Sequence, residues 1–316
     1  MKRMTDSLGY KVYQMNEIGG KIMPLQINAF MCFNAQEDRA AKALSELQNH
    51  GLLRDALVLS FDNDSLPNAE GLNIVAFIVD QSLSSNMLSC LKKIDEYVKN
   101  KNSIGIDITC MPIPFFTQIL NFLFKKHKDK QIIIYYTEPV HYTLDNLFDY
   151  SAYGGEIEIK AIPGFEGETS QIDEVKRIVF YLMGFEMKYL SKLIPQDVNP
   201  NKIAPISGFP SYFPKYKDIS LINNNTDFHE KDIEIIFSEA NNPFEAYNTM
   251  VTLKNKYKEF RVDIMPVGTK PMALGACLFA LKSGDNNCRI IFPFPAMYKS
   301  NQSAGCGKLW EYRVNG

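Results

Sequence analysis

Histidine and tryptophan are scarce in this chain, and its cysteines are unorganised. Four histidines (His50, His127, His141, His229) and one tryptophan occur in 316 residues. The six cysteines, Cys32, Cys90, Cys110, Cys277, Cys288 and Cys306, form no C-x-x-C pair, and several lie in apolar runs where cysteine acts as a small hydrophobe. The segment His229-Glu230-Lys231-Asp232 lacks the second histidine of a zincin helix. These gaps argue against a metal site built from His/Cys clusters, leave magnesium held by carboxylates open, and fit a reducing cytoplasm. No apolar run approaches the ~18 residues of a membrane span, and residues 1–20 lack the apolar core of a signal peptide. An excess of one charge is missing too. Lys and Arg number 34 against 36 Asp and Glu, a net charge of -2, which argues against a surface that coats DNA.

Three catalytic signatures are also absent. There is no G-x-S-x-G nucleophile elbow and no G-x-G-x-x-G after a first strand. Ala304-Gly305-Cys306-Gly307-Lys308 lacks both the spacing and the trailing hydroxyl of a P-loop. No cofactor is called for.

What the chain does contain is an internal repeat. Apolar, β-branched runs at 75–81 and 233–239 are each followed by a helical stretch and then a second strand, at 104–108 and 260–264. A further helix and a closing strand follow, at 131–139 in the first half and 288–295 in the second. Upstream, strands at 27–34 and 177–184 lead through helical segments to strands at 56–62 and 203–209. Asp107 and Asp263 fall at matching distances from the start of their repeats. Continuous apolar strands alternating with helices mean a parallel sheet covered on both faces. The fold class is therefore α/β: tandem Rossmann-like three-layer sandwiches with mainly parallel sheets and pseudo-twofold related halves. The Gly-rich, acidic stretch 150–174 places the division at 1–170 and 171–316. The Asn- and aromatic-rich region 209–232 reads as an extended, solvated connector.

Ligands of open parallel sheets bind beyond the carboxyl ends of the strands. In the second half that rule selects Gly184, Phe185, Glu186, Gly208, Ser238, Glu239, Gly268, Thr269 and Lys270. In the first half it selects Asn34, Asp62, Asp80, Gln81, Thr109 to Pro112 with Met111, Thr137 and Glu138. Gly268-Thr269-Lys270 is the arresting member, because it opens a helix, where backbone N–H groups and the dipole favour an anion. The matching turn of the first half carries prolines that remove donors, so the second half is the expected binder and the first its partner.

The stretch Met265-Pro266-Val267-Gly268-Thr269-Lys270-Pro271-Met272 resembles the strand–Gly-Thr-Lys-x-Met–helix turn of CARF domains, the CRISPR-associated Rossmann-like sensors. Gly268, Thr269, Lys270 and Met272 match that motif, with Ala273 and Ala276 on the helix behind it. Val267 departs from it, since many relatives carry a glycine or polar residue there. The related SAVED domains of antiphage signalling hold two such copies in one chain. The resemblance implies a cytoplasmic sensor, or sensory subunit, that binds a nucleotide or cyclic oligonucleotide and acts on a separate effector in prokaryotic antiphage defence. The stretch after Pro295 is too short for an effector of its own. Implied ligand contacts are Gly268, Thr269, Lys270, Met272, Gly184, Glu186, Ser238, Glu239, Thr109, Met111 and Asn34.

Two other readings stand beside this one. Glu138, Glu186 and Glu239 lie at strand ends and offer acid–base chemistry for ring cleavage or N-glycosidic cleavage of a nucleotide. Alternatively, both pockets are vestigial and the chain is an interaction subunit. Tyr135, Tyr136, Tyr142, Phe294 and Tyr298 provide aromatic surface near the last strands. The residues favour binding over catalysis, with no membrane and no direct DNA contact.

Overall fold

The structure is a computed structural model that describes residues 11–14, 25–61, 71–80, 86–142, 153–167, 176–185, 202–224, 233–283, 288–298 and 303–314. Its chain divides into two compact units. The first contains residues 1–143 and 299–316, the second 144–298.

In the first unit the chain runs β1 (Lys11–Gln14), β2 (Ala29–Phe33), a 3-10 turn (Asp38–Ala41), α1 (Lys42–Asn49), β3 (Asp55–Ser60) and β4 (Asn73–Ile78). It continues through α2 (Met87–Val98), β5 (Ser103–Asp107), α3 (Ile113–Lys126) and β6 (Gln131–Tyr142). Every residue of β2 and β5 is buried, as continuous apolar runs in a doubly covered sheet require. Helix α1 buries Ala43, Leu44 and Leu47, and these join Phe30, Cys32, Val58 and Tyr135 in one core cluster.

The second unit begins with β7 (Tyr153–Ala161), β8 (Arg177–Leu182) and β9 (Lys202–Gly208), then α4 (Pro214–Asn224) and β10 (Ile236–Ser238). Helix α5 (Pro243–Lys256), β11 (Arg261–Pro266), α6 (Lys270–Ser283) and β12 (Cys288–Tyr298) complete it. Asn242 caps α5, accepting hydrogen bonds from the Phe244 and Glu245 N–H groups at 3.1 and 3.3 Å, and Pro243 supplies the preset first residue. Helix α6 is buried from Pro271 through Phe279, which explains why its sequence shows no polar stripe.

Among the described residues the two sheets share one strand order. It is β4-β3-β2-β5-β6 in one and β10-β9-β8-β11-β12 in the other, all parallel. Each sheet is thus a Rossmann-like 3-2-1-4-5 arrangement, with a switch point between β2 and β5 or between β8 and β11. An antiparallel strand follows each set of five. Here the chain does something unexpected. β6 takes β13 (Ser303–Val314) from the end of the sequence, while β12 takes β7. β1 then pairs with the far side of β13.

That exchange moves the boundary away from 170/171. β7 lies within the stretch 150–174 expected to mark the division, and its pairing with β12 places residues 144–298 in the second unit. The pairing of β13 with β6 returns 299–316 to the first. The region 209–232 also differs from the extended connector expected, because 214–224 is helical as α4. The helix expected at 185–197 lies mostly outside the described residues, as do Glu186, Asp62 and Gln81. Among the described residues no helix is long and apolar enough to cross a membrane.

Asp107 and Asp263 do not occupy equivalent places. Asp107 ends β5 and pairs with Tyr135, the fifth residue of β6, whereas Asp263 pairs with Arg289, the second residue of β12. The carboxylate of Asp107 accepts the Thr109 N–H at 2.9 Å and the Thr109 hydroxyl, the bonds of a strand-end cap. That of Asp263 is neutralised inside the sheet by Arg289 and Arg177.

Candidate functional site

The carboxyl ends of β8, β9, β10 and β11 gather the residues expected to bind in the second unit. The turn after β11 is built by close packing. A Cβ placed on Gly184 would lie 2.1 Å from the Val267 carbonyl oxygen, and one on Gly268 would lie 3.0 Å from that of Met183. Both glycines let the exits of β8 and β11 touch at the switch point. What requires glycine at both positions is the approach of backbone to backbone.

Thr269 sits at the mouth of α6. Its hydroxyl donates to the Ala240 carbonyl and accepts the Met272 N–H at 3.4 Å, while its own carbonyl accepts from Ala273 N–H at 2.9 Å. The hydroxyl proton expected to reach an anion is therefore committed to Ala240, and Thr269 is a cap. Pro271 has no N–H to give. Gly268, Thr269 and Lys270 are all half-buried, and Lys270 is the first residue of α6. Met272 is fully buried; a Cβ on Gly208 would lie 3.2 Å from its sulfur. It shapes the turn from beneath and is closed to ligand. Ser238 is buried as well, its hydroxyl without a hydrogen-bond partner among the described residues, and Glu239 accepts from Asn242 Nδ2 at 3.0 Å.

Sequence reasoning missed the residues that join this turn to its surroundings. The Ala240 carbonyl that receives the Thr269 hydroxyl also receives the Tyr212 phenol at 3.2 Å, and Ala240 N–H donates to Pro210 at 3.2 Å. The loop after β9 is therefore fastened to the mouth of α6. That loop exposes aromatic surface: Phe209 is 49% exposed and Phe237, on the neighbouring strand, 51%. Their rings meet edge-on at 5.8 Å, and Lys217 Nζ lies 5.6 Å from the Phe209 ring. The only signal was the density of aromatics in Phe209-Pro210-Ser211-Tyr212-Phe213 directly after a strand-end glycine. Helix α4 secures the other side. Ser220 donates to the Gly184 carbonyl at 2.8 Å and Asn223 to that of Phe185 at 2.7 Å.

The corresponding end of the first unit is filled from within. Thr109 is buried, its hydroxyl donating to Asp107 and accepting Thr137 N–H at 2.9 Å, and Met111 is fully buried beside it. Asn34 is half-buried and donates its N–H to Leu59 at 2.7 Å. Thr109 and Met111 are thus closed to an outside ligand. The Arg39 guanidinium, also buried, donates to the Thr137 carbonyl at 2.9 Å and to Glu37 at 2.8 Å. Where a ligand's charge would sit, the unit carries its own ion pair. Three of the cysteines are shut away from thiol chemistry. Burial pushes the Cys90 thiol up to about 12 and those of Cys32 and Cys277 higher, which suppresses the thiolate. Among the described residues no group of three His, Cys, Asp or Glu could hold a metal.

No protein-family model matches the chain, and no curated protein matches it. Among solved structures, it is similar to a universal stress protein from Archaeoglobus fulgidus DSM 4304, at 10% identity and a TM-score of 0.26, covering 84% of this chain and 95% of that one. It is also similar to CobK precorrin-6A reductase, at 9% identity and a TM-score of 0.25, over 87% and 91% of the two chains. Likeness at this level carries no argument about activity.

Proposed function

We propose that the second unit binds a nucleotide-type ligand at the carboxyl ends of β8 to β11, its phosphate at Gly268–Lys270 and its base on the loop after β9. One observation carries this reading: the Ala240 carbonyl ties the mouth of α6 to an exposed aromatic loop with a lysine over its ring. A helix mouth and a cation suit a phosphate, and an aromatic face suits any base. The Gly-Thr-Lys-x-Met resemblance supports a cyclic oligonucleotide as the form of the signal. On that reading the chain is a sensor in prokaryotic antiphage defence that acts through a separate effector. The buried Arg39–Glu37 pair favours a first unit that transmits or partners and does not bind.

Thermal-shift screening of mono-, di- and cyclic nucleotides, followed by calorimetry on the best, tests the proposal. Lys270→Ala removes a charge-assisted bond worth roughly 1.5–3 kcal/mol, so affinity falls about ten- to a hundred-fold with folding unchanged. Phe209→Ala removes a stacking face worth about 1–3 kcal/mol. Thr269→Ala instead lowers stability by about 1 kcal/mol through the lost cap. Full affinity in both Lys270→Ala and Phe209→Ala would overturn the proposal. Chromatography of the recovered ligand separates binding from turnover.

A further inference from the structure

The near-neutral total charge of the chain conceals a local excess in the first unit. Residues 92–130 carry eight lysines and no arginine, against Asp95, Glu96, Asp107 and Asp129. Folding sorts these charges. Asp107 is engaged at the carboxyl end of β5, where it caps Thr109. Lys99, Lys101, Lys125, Lys126, Lys128 and Lys130 lie at the opposite end, where α2 and α3 run out and β5 and β6 begin. Lys130 is buried and braces the two turns, donating to the Lys99 carbonyl at 3.2 Å and the Lys101 carbonyl at 2.6 Å. Asp95 joins the two helices, accepting from Lys126 at 2.6 Å and meeting His127 Nε2 at 2.9 Å. Lys101 is paired with Asp55 at 2.7 Å. Lys92, Lys93, Lys99, Lys125 and Lys128 remain on this braced platform, with Glu96 and Asp129 to offset them. Helix dipoles do not account for the excess. Their pull on cations fades within the last turn, and the last turn of α2 holds no basic residue.

We infer that this platform is an interaction surface for the phosphate backbone of a nucleic acid strand. Charge complementarity selects a polyanion. Lysines without arginine offer point charges and none of the forked geometry that reads a base edge, which suits sequence-independent contact with phosphate. Lys92 and Lys99 share one face of α2 about 10 Å apart, a length over which a duplex carries about six charges. An anionic membrane also attracts lysines, but its binding calls for apolar side chains in the same plane. Among the described residues no large hydrophobic side chain is exposed between Leu88 and Val140.

The test is fluorescence anisotropy of labelled single-stranded and duplex oligonucleotides of unrelated sequences, titrated with the full chain over a range of salt. With five lysines engaged, the logarithm of affinity falls against that of salt with a slope of about −3.5 on single strands and −4.5 on duplex, whatever the sequence. Lys92, Lys99, Lys125 and Lys128 are exposed, so changing all four to Gln leaves the fold intact, as circular dichroism will report. That variant binds about 100-fold more weakly, with a slope smaller by about 3. Changing Lys160, Lys176, Lys256 and Lys258 to Gln, equally exposed in the second unit, removes the same charge and keeps affinity within about three-fold. Equal losses in the two variants would reduce the effect to net charge and overturn the inference. So would the absence of binding at low salt, or tighter binding to phosphatidylserine vesicles than to either oligonucleotide.

Discussion

Asp263→Ala lowers the stability of the second unit by about 3 kcal/mol, the lower end of the 3–5 kcal/mol typical when one partner of a buried ion pair is removed. The Asp263 side chain is 1% exposed, and Arg289 donates to its Oδ2 at 2.9 Å. Arg177 approaches the other oxygen at 3.4 Å. Without the carboxylate, two guanidiniums on adjacent parts of one sheet lose their counter-charge and face each other. Both arginines keep some contact with water, at 23% and 28% side-chain exposure, which places the expected loss at the low end. Urea melts followed by near-ultraviolet signals read the effect. A loss below about 1 kcal/mol, the scale of a surface pair, would mean that the arginines are solvated and the pair is not structural.

Gly275→Ala shows the opposite sign from helix propensity. In an exposed helix this change adds up to about 1 kcal/mol of stability. In α6 a Cβ at this position would lie 2.3 Å from the Pro243 carbonyl oxygen, 2.8 Å from Ala246 Cβ and 3.1 Å from Tyr247 N. Most of these atoms are backbone and cannot turn aside, so α5 and α6 must separate. Overpacking of this kind costs about 1–3 kcal/mol, and the rigidity of the contact points to the upper part of that range. For a unit of this size that is a fall of about 5–10 °C in melting temperature. A rise in melting temperature would show that the two helices do not pack this closely.

The parallel core of each sheet is legible because its signal is local. Ala29–Phe33 is apolar throughout and Arg261–Pro266 is apolar but for Arg261 and Asp263, and each is followed at short range by its own helix. The exchange of β7 and β13 is not legible. Both strands could serve either sheet by pattern, and chain adjacency assigns each to the strand before it. The choice is made by distant partners such as Glu138 for Trp310 and Tyr135 for Glu311. Helix α4 hides for a different reason. It buries Ser220, Asn223 and Asn224 alongside Tyr216 and Ile219, using polar side chains to hold the exit of β8, so it shows no apolar stripe. Within the site, the strand-end rule found Gly184, Gly208 and Gly268 but not their purpose. A glycine that admits a carbonyl and one that admits a phosphate look alike in sequence. Tyr212 was invisible because its role depends on the Ala240 carbonyl, which no side-chain pattern reports.

Domains made on the ribosome usually fold in the order of synthesis, the N-terminal one first. In this chain the strand that completes the first unit's sheet is the last to be made. At ~5–20 residues per second, about 160 residues and some 10–30 s separate the synthesis of Tyr142 in β6 from that of Ser303, its partner in β13. Throughout that interval the nascent first unit presents an unsatisfied strand edge, the kind of surface that chaperones hold and that polysomes bring close to its neighbours. All the described strands of the second unit, from Tyr153 to Tyr298, are made before the sheet of the first can close.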